Sequence, residues 1–415
     1  MMEDALYPRF AEAGVLGALA DSPVVLLHGP RQCGKTTLAK LVGARKGYAY
    51  ITFDDDVARE GAESDPAGFV DRLPPRVILD EVQRVPSLFT AVKAAVDRRR
   101  DPGRFLLTGS ANVLLVPRLA DSLAGRMAIQ RLHPLSQAEL ERRRPTFLDT
   151  LFSVGFKARR TDRLARELPA RVAAGGYPAA LVRQEGRRRA AWYRDYLEAI
   201  VQRDVRELAR IGALDAVPRL LGAAASQTAR LLNVSALAAP FSVSRPTIAD
   251  YMTLLQRVFL VEELPAWHSN RLKRLVKSPK LHLGDTGLAS ALLRVDAEAL
   301  DADRQLLGQL TETFVFQELR RQASWYQDPL SFFHFRDKDG VEVDIVIERG
   351  PRAVAAVEVK ASATVRASDF NGIRKLKAAA GRSFTSGVVL YDGEIAASFG
   401  DGLFAVPIRA LWDTV

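Results

Sequence analysis

Two sets of side chains in this 415-residue sequence have the types and spacing to do chemistry. The first runs from Gly29 to Thr36 and reads G-x-x-x-x-G-K-T within "PVVLLHGPRQCGKTTLAKLV". Glycines at that spacing let backbone amides close around phosphates, while the lysine reaches the terminal ones and the hydroxyl ligates Mg²⁺. Gly29, Pro30, Arg31, Gln32, Cys33, Gly34, Lys35, Thr36 and Thr37 are therefore the expected nucleotide-binding residues, with Cys33 a filler position. A phosphate loop needs a second anchor for its metal. "RVILDEVQ" supplies it, with Asp80 for the Mg²⁺ shell and Glu81 to orient and polarise the attacking water. The second set, in "VDIVIERGPRAVAAVEVKAS", is an acid, an acid and a lysine: Asp344, Glu358 and Lys360. Side chains alternate along a strand, so Glu358 and Lys360 share one face and Asp344 can meet them from the adjacent strand.

Elements of definite kinds must position these residues. A short apolar strand precedes the phosphate loop, and Leu38, Leu41 and Val42 mark one side of the helix after it. "AYITF", "RVILD", "RFLLTGS" and "MAIQRL" complete a five-strand alternation that implies a parallel sheet covered by helices. Ligands of such sheets sit at the carboxyl ends of the strands. From Pro134 to about Gly212 the pattern is helical and arginine-rich, interrupted by "AAGGYPAAL", and reads as a lid. Next come a short helix from Ser235, a helix capped by Ser244 with Pro246 in its first turn, and a strand. Ile248, Tyr251, Leu255 and Val258 recur with helical spacing and read as core. Arg245 and Thr247 are left exposed near the start, the end from which a recognition helix reads bases. The last segment holds a helix with Leu310, Phe314 and Leu319 on its apolar face and Glu312 beside it. Three strands, a helix from about Ser368 and a further strand follow, giving the order α-β-β-β-α-β.

Hydrophobic residues make up 48% and charged residues 26%, the balance of a soluble globular protein, and the length suits about three domains. A net charge of +10 favours a polyanionic partner such as DNA. Cys33 is the single cysteine, which excludes a disulfide framework or a multi-cysteine metal site and fits a reducing cytoplasm. No apolar run approaches the ~18 residues that span a bilayer, and the start has no signal-peptide pattern. A cytoplasmic protein with no membrane contact is expected.

The order of phosphate loop, acidic strand and strand ending in a polar residue resembles the AAA+ ATPases. That resemblance implies ATP and ADP as ligands and Thr108 or Ser110 as the sensor of the γ-phosphate. It also implies that Arg126, in "DSLAGRMAIQ", is the arginine inserted into a neighbouring subunit's ATP site, and so a homo-oligomer. The segment after Ser235 resembles a winged helix. The C-terminal order, with E-x-K on its third strand, resembles the PD-(D/E)xK nuclease fold. It implies Mg²⁺, or Mn²⁺, held by Asp344 and Glu358, a water aligned by Lys360, and Glu312 as an added acid. The sequence departs from that pattern in reading V-D, at Val343 and Asp344, in place of P-D. Taken whole, through "VILDEVQRVPSLF", "LLTGSAN", "SLAGR", "SPKLHLGDTGL", "GVEVDIVIE" and "VEVKAS", the chain resembles a prokaryotic group in which an AAA-type ATPase is joined to a nuclease-like domain.

The expected fold is multidomain α/β: a P-loop core over 1–133, a helical lid over 134–215, a winged-helix-like segment over 216–268 and a restriction-endonuclease-like domain over 269–415. The expected function is a Mg²⁺-dependent ATPase acting on or with DNA, whose cycle gates a metal-dependent nuclease. The other reading is a nucleotide switch that signals by protein contacts, its C-terminal domain a non-cleaving module.

Overall fold

The computed structural model describes residues 6–110, 123, 125–153, 155–205, 216–241, 244–274 and 277–413. The chain forms two compact units, one of residues 1–135 with 255–259 and the other of 136–254 with 260–415.

The first unit is built on β1 (Val24–His28), β2 (Ala49–Thr52), β3 (Val77–Asp80), β4 (Phe105–Gly109) and β5 (Met127–Arg131). All pair in parallel, in the order β2-β3-β4-β1-β5. The three central strands are buried along their whole length, as a sheet covered on both faces requires. Leu26, Val77, Leu79 and Leu107 pack with Phe89 and Val92 of helix Ser87–Arg98 in one core. Val25, Leu27, Ile78 and Leu106 pack with Leu38 and Val42 of helix Lys35–Lys46 in another. Because β4 lies between β1 and β3, its last residues stand between the loop after β1 and the acids after β3.

The second unit contains β6 (Arg159–Arg160), β7 (Arg230–Leu231), β8 (Val261–Leu264), β9 (Lys280–Leu283), β10 (Leu330–Arg336), β11 (Glu342–Arg349), β12 (Ala353–Lys360), β13 (Phe384–Tyr391), β14 (Ile395–Ser398) and β15 (Leu403–Pro407). A small antiparallel sheet has the order β7-β9-β8, and a large one the order β10-β11-β12-β13-β15-β14-β6. Helix Arg304–Ala323 precedes β10, and helix Asn371–Ala380 carries the chain from β12 to its parallel neighbour β13. The order from that first helix through β13 is the α-β-β-β-α-β of the sequence pattern, with Leu310, Phe314 and Leu319 buried. Phe335, Val346, Ile373, Leu376 and Val389 form the core of the large sheet with Trp267.

Two features differ from the sequence reading. The segment expected to be wholly helical contributes β6, which pairs Arg160 with Ile395 and Arg159 with Ala396 at the sheet edge. "KARRTDR" shows no apolar alternation, and its partner strand lies far along the chain, so no local pattern marks it as a strand. The small sheet that accompanies helices Val234–Ala238 and Arg245–Arg257 is completed by β9, beyond residue 268. Ser244 caps the latter helix, its Oγ accepting from the Thr247 amide at 3.3 Å and pairing with the Thr247 hydroxyl at 2.8 Å. Arg245 is thus exposed, while Thr247 is half-buried with its hydroxyl engaged. Ile248, Tyr251, Leu255 and Val258 are buried. No described helix is long and apolar enough to cross a membrane.

Candidate functional site

The phosphate loop begins where β1 ends. Gly29 has φ +155, and a Cβ there would stand 2.1 Å from the Leu132 carbonyl oxygen, so no other residue fits. Gly34, at φ +102, turns the chain into helix Lys35–Lys46. The buried Lys35 ammonium donates to the Gly29 carbonyl at 3.0 Å and the Pro30 carbonyl at 2.7 Å, which holds it over the loop. Arg9 braces the same loop, donating to the carbonyls of Cys33 at 2.5 Å and His133 at 2.6 Å. Cys33 is buried against Leu132, as a packing residue would be. Burial, then Arg131 and Lys35, lower the His28 pKa to about 3, so this imidazole adds no charge beside the loop at neutral pH.

The acids stand where the strand order brings them. Asp80 accepts from the Thr36 hydroxyl at 3.0 Å, from the Tyr50 hydroxyl at 2.7 Å and from the Thr108 hydroxyl. A hydroxyl and a carboxylate in contact are hard oxygen donors that fit a Mg²⁺ shell. Glu81 adopts a left-handed φ of 58, and its carboxylate accepts from the Ser110 hydroxyl at 3.1 Å and from the Gln83 amide. Its own backbone amide donates to Thr108 Oγ1 at 3.2 Å. The two sensor candidates therefore divide the work: Thr108 touches Asp80, whereas Ser110 touches Glu81. Arg126 lies in a two-point ion pair with Asp97 of helix Ser87–Arg98, at 2.5 and 3.2 Å, and holds that carboxyl below its usual pKa.

A second cluster forms in the C-terminal domain. The β11–β12 ladder runs to the pair Ile345 and Val357, and beyond it the Val359 amide donates to Asp344 Oδ2 at 2.9 Å instead. Lys360 pairs with Glu358 at 2.7 Å. Glu312 joins through a residue absent from the sequence reading, Lys280 of β9, whose Nζ stands 2.8 Å from Glu312, 3.1 Å from Asp344 and 4.0 Å from Glu342. Lys280 is 2% exposed. A signal for it existed in "KLHL", a lysine on an apolar strand, because a buried ammonium must find partners. Arg9 and Gln83 were also missed. Gln83 stands two residues past Glu81, whereas nothing local marks Arg9.

Burial, then Asp344, push the Glu312 carboxyl well up despite Lys280. Burial pushes Asp344 up too, but Lys280 and the Val359 amide outweigh it and leave its pKa below the usual range. Burial and then Asp344 raise Glu358 to about 7, against Lys360. For Lys280 burial acts downward, and Asp344 and Glu312 outweigh it, so the amine stays charged. Among the described residues Glu358 Oε2 has no hydrogen-bond partner. The oxygen set suits a hard cation, yet an ammonium already lies on two of its members. Among the described residues no group of three or more His, Cys, Asp or Glu side chains has the arrangement of a metal site.

Between these chemistries lies a buried hub. Asp285 accepts from Tyr193 at 3.1 Å, from the amides of Gly176 at 2.8 Å, Gly287 at 2.9 Å and Leu288 at 3.3 Å, and from Arg321 at 3.0 Å. Arg321 also pairs with buried Glu318 at 2.8 Å. The "AAGGYP" and "GDTGL" stretches therefore build the scaffold.

The loop, the paired Thr36 and Asp80, and Glu81 on a parallel sheet of this order define a P-loop ATPase of the AAA class, an enzyme that uses ATP with Mg²⁺. Residues 21–141 match an AAA domain, 165–299 a domain of unknown function (DUF8612) and 307–411 another domain of unknown function (DUF4143). The chain belongs to the family of two mycobacterial proteins, uncharacterized protein Rv2008c of Mycobacterium tuberculosis and uncharacterized protein Mb2031c of Mycobacterium bovis. It is 31% identical to each over 409 residues, covering 98% of this chain and 85% of theirs. It is also similar to the Walker-type ATPase PABY2304 of Pyrococcus abyssi, at 16% identity and TM-score 0.46, over 70% of this chain and 97% of that one.

Proposed function

We propose that the chain is an ATP-driven switch that works with DNA, in which the C-terminal domain, of nuclease-like architecture, is a binding module that does not cut. The observation that carries this reading is the Lys280 ammonium shared between Glu312 and Asp344, which neutralises the carboxylates a nuclease would offer to metal. The net charge of +10 supports a polyanionic partner.

In the ATPase cycle Lys35 neutralises the terminal phosphates and Thr36 and Asp80 hold Mg²⁺. Glu81 orients the attacking water while Ser110 and Gln83 fix its carboxylate. Arg126 of one subunit completes the ATP site of the next in a homo-oligomer, after release from Asp97. A second reading, a metal-dependent nuclease gated by ATP, is favoured by the gathering of Glu312, Asp344, Glu358 and Lys360 around an unpartnered Glu358 oxygen.

The test is one set of assays on duplex, single-stranded and branched DNA with Mg²⁺ or Mn²⁺, with and without ATP. Expected are ATP hydrolysis, salt-sensitive DNA binding and intact DNA. Cleavage that disappears in Asp344→Ala would replace this reading by the second.

A further inference from the structure

We infer that Lys280 is the resident cation of the C-terminal carboxylate cluster, and that the cluster takes a hard divalent cation of the Mg²⁺ or Mn²⁺ class once that ammonium is removed. The inference deepens the non-cleaving reading above and rests on it.

The geometry is that of an ammonium standing where a cation bridges acids. Its Nζ lies 2.8 Å from Glu312 and 3.1 Å from Asp344, with Glu342 at 4.0 Å. These acids come from helix Arg304–Ala323 and from β11, whereas the lysine comes from the small sheet, where β7 and β8 pair with it on either side at Leu231 and Leu264. The backbone of Lys280 is thus fixed independently of the carboxylates, and shortening its side chain leaves their positions intact. The charge balance points the same way. Lys280 and Lys360 are two positive charges among Glu312, Asp344 and Glu358, with Glu342 mostly committed to Arg336. Without Lys280, Lys360 remains on Glu358 Oε1, and the facing oxygens of Glu312, Asp344 and Glu358 Oε2 are left as a buried, under-neutralised set. Hard oxygens at that density select Mg²⁺, Mn²⁺ or Ca²⁺.

The experiment titrates Mn²⁺ into nucleotide-free full-length protein, following free Mn²⁺ by electron paramagnetic resonance. Wild type, Lys280→Met and Lys280→Met with Asp344→Asn are compared. Lys280→Met should gain one Mn²⁺ site at least ~10-fold tighter than any in wild type, because a competing unit charge has left a low-dielectric site. Asp344→Asn should abolish the gain. A folded Lys280→Met protein without the new site overturns the inference. So does wild-type Mn²⁺ binding of equal strength that Asp344→Asn removes, a comparison that stands even where Lys280→Met fails to fold. Metal binding is read without DNA. Failure here therefore leaves the non-cleaving reading in place, and cleavage by wild type would sink that reading without touching this measurement.

Discussion

Single side chains set what the ATP site can do. Lys35 is the loop's buried cation, so Lys35→Ala should remove ATP binding, measured by titration with a fluorescent nucleotide. Glu81→Gln keeps the size and the metal shell but loses the carboxylate that polarises water. It should bind ATP normally and turn over slower by ~10²-fold or more. Ser110→Ala should sit between the two, since Gln83 still holds Glu81. Equal turnover in Glu81→Gln would move that role elsewhere. A different residue sets an acid limit on the second unit. Burial lowers the His334 pKa to about 4, and its Nε2 stays 3.1 Å from the Ser278 carbonyl. The folded state refuses a proton that the unfolded chain accepts, so this contribution is complete above pH 6.5 and fades as the pH falls toward 4. The slope is about 1.4 kcal/mol per unit. His334→Gln should flatten that part of a pH series of denaturation midpoints.

At the scale of elements, what was legible depended on how far away each partner lies. The phosphate loop could be read because strand, glycines, lysine and hydroxyl fall within one short stretch. Its acids were legible from an apolar strand ending in Asp80 and Glu81. Thr108 and Ser110 stayed undivided because their roles depend on which acid each touches across β3 and β4. Lys280 and β6 were illegible for the same reason, each meeting partners from another part of the chain. Asp285 shows how much a hidden contact can matter. It collects five donors, among them buried Arg321, so Asp285→Ala strands a charge and should cost the second unit about 3–5 kcal/mol. Chemical denaturation should show that loss with ATP affinity unchanged. A change under ~1 kcal/mol would mean the hub is dispensable.

Across the whole molecule, the open question is how copies and DNA are engaged. Arg126→Ala should leave nucleotide affinity intact yet lower turnover by up to ~10³-fold. Mixing it with Lys35→Ala should partly restore hydrolysis, because each mutant lends the part the other lacks. No rescue at any ratio argues against a shared site. DNA affinity should fall with log salt at roughly −0.9 per phosphate contacted, and a flat titration would point to a protein partner.

The interleaving of the second unit also dictates an order of events on the ribosome. The five-stranded sheet of the first unit is complete once Arg131 has emerged. By contrast, Gln137 waits for Glu318, Leu151 for Ser386 and β6 for β14, with 181 residues separating the first pair and 235 the second. Contacts that remote form slowly and late. A nascent chain halted after about residue 260 would therefore present a finished nucleotide fold followed by a long protease-sensitive stretch, with its partner strands still unmade.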